Sequence, residues 1–499
     1  MPLAQPTQGQ PLAPRSQQQV LEVPLRIVGG NEYGRYPKIS RAQTVNMMVS
    51  DDYLVDYAGY QAVLAITNNP RAEGRGIHGS NIKNIMIVVV DNGVYRVDSH
   101  VAGATFIGGL ATSTGEVYIA ENNNHQIALT DGVNIYIYNT SSFAFTIATI
   151  DFLPGFLSFQ NSRFICQSIG TSQWRLSDLS DGTSWPTDPN HVGQLQTKPD
   201  FVQAAVPMPG RGNTLFLFGR TVGEQWNDTG FAIFPYQKQS SFNIDYGCIN
   251  PSTIAYQGIY IVWIGISEEA GPVVMFTTGG DIKEVSTDGI DYLFSTLKNP
   301  EDCSGFLIKI DGHLFYQFTF RTDNVSMILD METLKFFTVT DEWRNYHIAR
   351  KIVYFNNTYY FVSYKDGNLY ELGTQFTNYT YSLPSASPSE LVQYEIPRIR
   401  ICPPIRLPNQ RPYIIKSIGF TIEQGQDNPD LTMAVDLSLS RDGAETFSSQ
   451  YRKYMNPTGL RKSRFVYQRC GRSNDTTVQL QFWGKNRFTV TDGQMEIFV

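Results

Sequence analysis

NIMIVVVDNGVYRVD, residues 84–98, decides the fold. It joins an apolar, β-branched run to a second run through Asp91, Asn92 and Gly93, the pattern of a two-stranded hairpin. The unit returns as HQIALTDGVNIYIYN (125–139), RFICQSIGTSQWRLSD (163–178), TLFLFGRTVGEQWND (214–228), IYIVWIGISEEAGPVVMF (259–276), HLFYQFTFRTDNVSMIL (313–329) and TYYFVSYKDGNLYEL (358–372). The starts lie roughly 40 to 55 residues apart, a period at which repeats build propeller blades or solenoids. Several copies follow another short strand and a tight turn at Asn161-Ser162, Asp311-Gly312 or Asn356-Asn357, residue pairs suited to positive φ. Strand, turn, strand, turn, strand, with room for a fourth, is a β-propeller blade. Seven blades are expected, or six if the fourth copy, with its long GRTVG connection, belongs to an insertion.

Around this repeat the chain divides into five stretches. Residues 1–20 form a Pro/Gln-rich arm with almost no apolar anchor, a composition that stays flexible. Residues 21–67 end in YLVDYAGYQAVLAIT (53–67) and are expected to lend a strand that closes the ring, since an unclosed ring leaves an exposed edge. The propeller occupies 68–375, and a Pro-rich extended connector follows at 376–410. In 411–499 alternating runs return without the earlier period and read as a separate β-sandwich.

The 499 residues include 28 Tyr, 30 Phe and 41 Gly, and long amphipathic helical patterns are hard to find, so the class is all-β. The formal charge of −7 does not suggest a dedicated nucleic-acid binder. Five scattered cysteines (Cys166, Cys248, Cys303, Cys402, Cys470) with no CxxC pair read as reduced core residues. Neither a signal-peptide pattern nor a run of 18 apolar residues is present, so export by the general route and stable membrane insertion are not expected.

Motifs for chemistry are weak. GRGIHG at 74–79 spells GxGxxG, but a β-branched run follows where a nucleotide site needs a helix, so a glycine-rich inter-blade loop is expected. Six histidines show no HxH or HExxH spacing, and no catalytic residue, cofactor or metal ligand is assigned. SDLSDGTSW (177–185) and the stretch 440–447 resemble Asp-boxes, which are structural turns unless an arginine cluster and an acid pair converge beside them. The one specific surface candidate is a basic run free of acids: Arg452, Lys453, Arg461, Lys462, Arg464, Arg469 and Arg472. It suits phosphate, an acidic protein ring, or simply a charge-protected strand edge.

Together the opening RAQTVNMMVSDDYLVDYAGYQAVLAIT (41–67), the GVYRV-type hairpins, and the closing order VDLSLSRDGAETFS, FVYQRCGRS, LQFWGKNRFTVTDGQMEIF resemble the packaged-DNA stabilisation, or tail-hub (nozzle), proteins of short-tailed bacteriophages. The resemblance implies a non-enzymatic virion tail protein, assembled in the host cytoplasm as a hexameric ring below the portal and its adaptor. It would close the filled head, carry the tail needle or distal tail proteins, fibres or spikes, and let double-stranded DNA pass at ejection. The competing reading is a glycan-binding or glycoside-hydrolysing propeller.

Overall fold

The computed structural model describes residues 19–34, 41–80, 82–208, 210–231, 233–383, 390–424, 432–455 and 461–499. The Pro/Gln arm falls almost wholly outside them. The opening hairpin shows how the ring holds together. Side chains alternate between the two faces of a strand. From Ile85–Val90, Met86, Val88 and Val90 point one way and meet Phe355, Val362 and Leu369. Ile87 and Val89 point the other way and meet Ile127, Leu129 and Tyr136. Both faces are buried, so the run is apolar at every position instead of alternate ones.

Among the described residues seven four-stranded units follow one another, here blades 1 to 7: 74–109, 118–147, 154–194, 202–244, 255–284, 303–338 and 349–373. Each junction between neighbouring blades has its own apolar core, including the junction of blade 7 with blade 1. The ring is therefore closed. The fourth copy forms an independent sheet of Val202–Pro207, Thr214–Gly219, Gly223–Asp228 and Tyr236–Ile244, so it is a blade and no insertion. At the three turn pairs both residues take positive φ: Asn161 (48°) and Ser162 (66°), Asp311 (48°) and Gly312 (92°), Asn356 (47°) and Asn357 (63°). Blade 7 draws its fourth strand from the start of the chain, where Gly59–Ala65 pairs antiparallel with Asn368–Gly373.

The C-terminal part differs from the expected separate sandwich. One of its sheets joins Val20–Leu25, Gly493–Phe498, Tyr413–Glu423, Lys462–Ser473, Thr489–Val490, Tyr53–Asp56 and Met47–Ser50, so the N-terminal segment supplies part of this layer. The other sheet is the outward continuation of blade 6, running from Phe336–Thr338 through Arg41–Val45, Arg398–Ile401, Asp475–Trp483 and Ala434–Ser440 to Tyr451–Tyr454. A single core runs from Phe315 and Phe361 in the propeller to Ile418 and Leu480 in the sandwich.

Nor is 376–410 only a connector, because it carries strands Asn378–Leu383, Glu390–Glu395 and Arg398–Ile401. Pro397, Pro403, Pro404 and Pro408 fall between strands or beyond them, where a missing N–H breaks no ladder. Arg398 and Arg400, 1% and 0% exposed, bolt this strand in place. Arg398 meets Asp56 at 3.0 Å and donates to the carbonyls of Gly484 and Thr377, while Arg400 donates to Gly30 O and Thr44 Oγ1. No helix among the described residues is long and apolar enough to cross a membrane.

Candidate functional site

The first strand of each blade stands beside the axis, and the axial space is a cavity of about 340 Å³. Blades 1, 2, 3, 5, 6 and 7 line it through residues such as Ile77, Tyr118, Phe156, Tyr256, Phe306 and Lys351. Its end at the strand starts is crossed by ion pairs between different blades, neighbouring and not. Arg350 of blade 7 meets Glu116, at the entry to blade 2, at 2.9 Å, and Glu73, before blade 1, at 3.5 Å. Glu73 also takes two hydrogen bonds from Arg321, which follows the second strand of blade 6, at 2.6 and 3.1 Å. Lys351 donates to Ser252 O at 2.8 Å, at the entry to blade 5. Burial pushes the Glu116 carboxyl up, but Arg350 and Lys351 outweigh it and hold the group below its usual range. The axis is thus tied shut by fixed charges, and no DNA duplex, whose major groove alone is about 12 Å wide, fits through it.

The glycine motif is a correction. GRGIHG lies in Gly74–Ser80, the first strand of blade 1, and not in an inter-blade loop. The glycines permit close approach to neighbouring strands: a Cβ on Gly74 would stand 2.4 Å from Val362 Cβ, and one on Gly76 2.9 Å from Val117 O. Both Asp-box stretches are turns. Asp181 accepts the Thr183 N–H at 2.9 Å while Trp185, buried, donates to Gly182 O at 2.8 Å. Asp442 accepts the Glu445 and Thr446 N–H groups, which with the Ser440 and Thr446 hydroxyls keep it well below the usual carboxylate range.

The basic run divides over two edge strands. Arg452 and Lys453 lie on Tyr451–Tyr454, the outer edge of the sheet that continues blade 6. Arg452 grips Asp436 through two bonds of 2.7 Å and covers the Trp483 ring. Lys453 donates to Val466 O across the gap between the sheets. Lys462, Arg464, Arg469 and Arg472 lie on Lys462–Ser473, whose one partner among the described residues is Tyr413–Glu423. Lys462 pairs with Glu423, and Arg461 precedes this strand. A bulge with positive φ at Arg469 (60°) and Gly471 (88°) interrupts the second edge. All seven side chains are exposed. Sequence reading missed the Glu73–Glu116–Arg350 network, whose members are scattered singly along the chain.

The family described as "Bacteriophage P22 Gp10, beta-propeller" matches residues 32–376, more than half of the sequence and all seven blades. The chain belongs to this phage stabilisation family. As a member of the P22 Gp10 family it is a structural component of a phage virion, of the tail or head-completion kind. No curated protein matches it. Among solved structures, the extracellular domain of the one-component system BT4673 from B. thetaiotaomicron aligns at 9% identity over 68% of this chain and 42% of that one, with a TM-score of 0.42. The chain thus spans less than half of that protein's length. A chain of the mitotic checkpoint complex aligns at 13% identity over 63% of this chain and 93% of that one, with a TM-score of 0.39. Neither likeness adds to the family assignment.

Proposed function

We propose that the chain is a non-catalytic subunit of the tail hub: six copies form a ring below the portal and its adaptor, close the filled head and hold the needle or distal tail parts. DNA leaves through the space enclosed by the copies. The sealed axis supports this reading, since a subunit blocked along its own axis serves a conduit only as part of its wall. Rigid inter-blade cores and a sandwich fused to blade 6 supply broad fixed faces for such a wall. Obligate ring contacts of this kind bury roughly 2,000–5,000 Å². Assembly takes place in the host cytoplasm, and the mature location is the virion tail.

The test is the mass of the purified chain in solution, alone and with portal and adaptor. A monomer that becomes a six-copy ring on the template is the expected result. A chain that ignores the template but binds or cleaves a glycan overturns the hub.

A further inference from the structure

The basic run contains two kinds of cation. Arg452, Lys453 and Lys462 are held by partners in the same chain. Arg464, Arg469 and Arg472 make no side-chain hydrogen bond or ion pair among the described residues, Arg464 acting only through its charge on Glu496. All three lie on one unpaired edge strand, and the second unpaired edge beside it exposes Tyr451 (54%) and Tyr454 (63%). Charge on an edge is enough to prevent sheet-to-sheet aggregation. Two half-bare tyrosines add nothing to that protection, but arginine and tyrosine together are the residues enriched at the centres of protein contacts.

The charge of the whole chain points to the occupant. Residues 411–499 hold 12 Lys/Arg and 9 Asp/Glu, a net of +3; the rest holds 27 and 37, a net of −10, and the two sum to the −7 of the full chain. On the propeller one group of acids lacks any cation. Glu284, on the last strand of blade 5, lies close enough to Asp288 and Asp291, in the helix Asp288–Ser295, to be repelled by them, and Asp245, after the last strand of blade 4, acts with Glu284 and Asp291 on the nearby Tyr246. None has an ion-pair partner among the described residues, and Asp245, Glu284 and Asp288 are exposed. Burial and this mutual repulsion together push Glu284 upward. Among the described residues no ion pair joins the arginines of the sandwich edge to these acids within one chain, so a contact between the two surfaces would join two copies.

We propose that the edge strand Lys462–Ser473 of one copy docks on the blade 5 rim of the next, with Arg464, Arg469 and Arg472 facing Asp245, Glu284 and Asp288. This rests on the ring reading and names its contact. Two different surfaces on one chain make a head-to-tail interface, the kind that closes into a ring.

Charge reversal tests it, with ring formation on portal and adaptor measured by mass. The variant R464E/R472E and the variant E284K/D288K are each expected to assemble at least about tenfold more weakly. One chain carrying all four changes is expected to recover assembly. Thermal unfolding of each variant checks the fold, and R464Q/R472Q, which removes charge without reversing it, is expected to fall between wild type and R464E/R472E. Wild-type assembly that none of the reversals alters overturns this contact and leaves the hub reading standing. Loss of duplex-DNA binding in R464E/R472E with assembly intact also overturns it, in favour of a phosphate surface. A wild-type chain that forms no ring on the template overturns both.

Discussion

Replacing Arg350 with methionine is expected to lower the stability of the fold by about 3–5 kcal/mol, the cost of removing one partner from a buried ion pair. The guanidinium is 7% exposed, donates to Glu116 at 2.9 Å and to Gly74 O at 3.1 Å, and lies 5.3 Å from the centre of the Tyr364 ring. Without it Glu116 keeps Lys351, at 3.9 Å, and the more distant charge of Arg75, in a site that burial already disfavours for a carboxylate. Glu73 is less affected because Arg321 still holds it. Adding Glu116→Gln to Arg350→Met is therefore expected to recover part of the loss, since it removes the buried carboxylate that Arg350 held and leaves Lys351 its hydrogen bond to Ser252 O. Urea unfolding of the two variants decides the matter. If Arg350→Met unfolds within about 1 kcal/mol of wild type, the axial network is not what ties blades 1, 2 and 7 together.

The second large effect is a loss of stability in acid, traceable to His347. Its ring is fully buried, and Nδ1 accepts from Gln317 Nε2 at 3.1 Å and from the Ala349 N–H at 3.2 Å. The proton of the neutral ring therefore sits on Nε2, which has no hydrogen-bond partner among the described residues. Tyr60 meets the ring edge-to-face, with centroids 5.4 Å apart, and Phe361 and Tyr379 complete an aromatic surround. Burial lowers the pKa to about 3; nearby Asp341 acts in the opposite direction and does not overcome it.

The unfolded chain takes up this proton near pH 6.5 and the folded chain only near 3. The stabilising contribution is thus complete above pH 6.5 and is lost as pH falls, by up to about 1.4 kcal/mol per unit in that window. Asp131 and Glu224, both held below their usual range by hydrogen bonds that outweigh burial, add to acid lability. The diagnostic quantity is hence the difference in pH slope between wild type and His347→Gln, whose side-chain oxygen can still accept from Gln317 and Ala349. A shallower slope in the variant is expected between pH 6.5 and 4, and equal slopes would remove His347 from the account.

The blades were legible because their signal is local and repeated. Asp311-Gly312 demands a turn, and seven doubly buried strands such as Ile85–Val90 demand neighbours on both faces. The way the sandwich joins the propeller was not legible. RIRI at Arg398–Ile401 has the alternation of a half-exposed strand, yet both arginines point into the protein and bind carbonyls and Asp56, partners up to 374 residues away in sequence. Nothing near them predicts those partners. The same holds for the axis, where Glu73, Glu116 and Arg350 are unremarkable one by one and gain meaning only when ring closure brings them together. The basic run, being contiguous, could be found from sequence, but which of its arginines were already engaged could not.

The strand that closes blade 7 also sets a schedule for biogenesis. Gly59–Ala65 leaves the ribosome about 300 residues before its partner Asn368–Gly373. At about 5–20 residues per second it waits roughly 15–60 s with its ladder unpaired. Until then the outer strand of blade 7 has no ladder to join and blade 1 has only a partial neighbour, so the nascent chain presents sticky edges to its surroundings. Such a polypeptide matures late and all at once, and conditions that slow its last step, heat above all, will divert it to aggregates sooner than they unfold the finished ring.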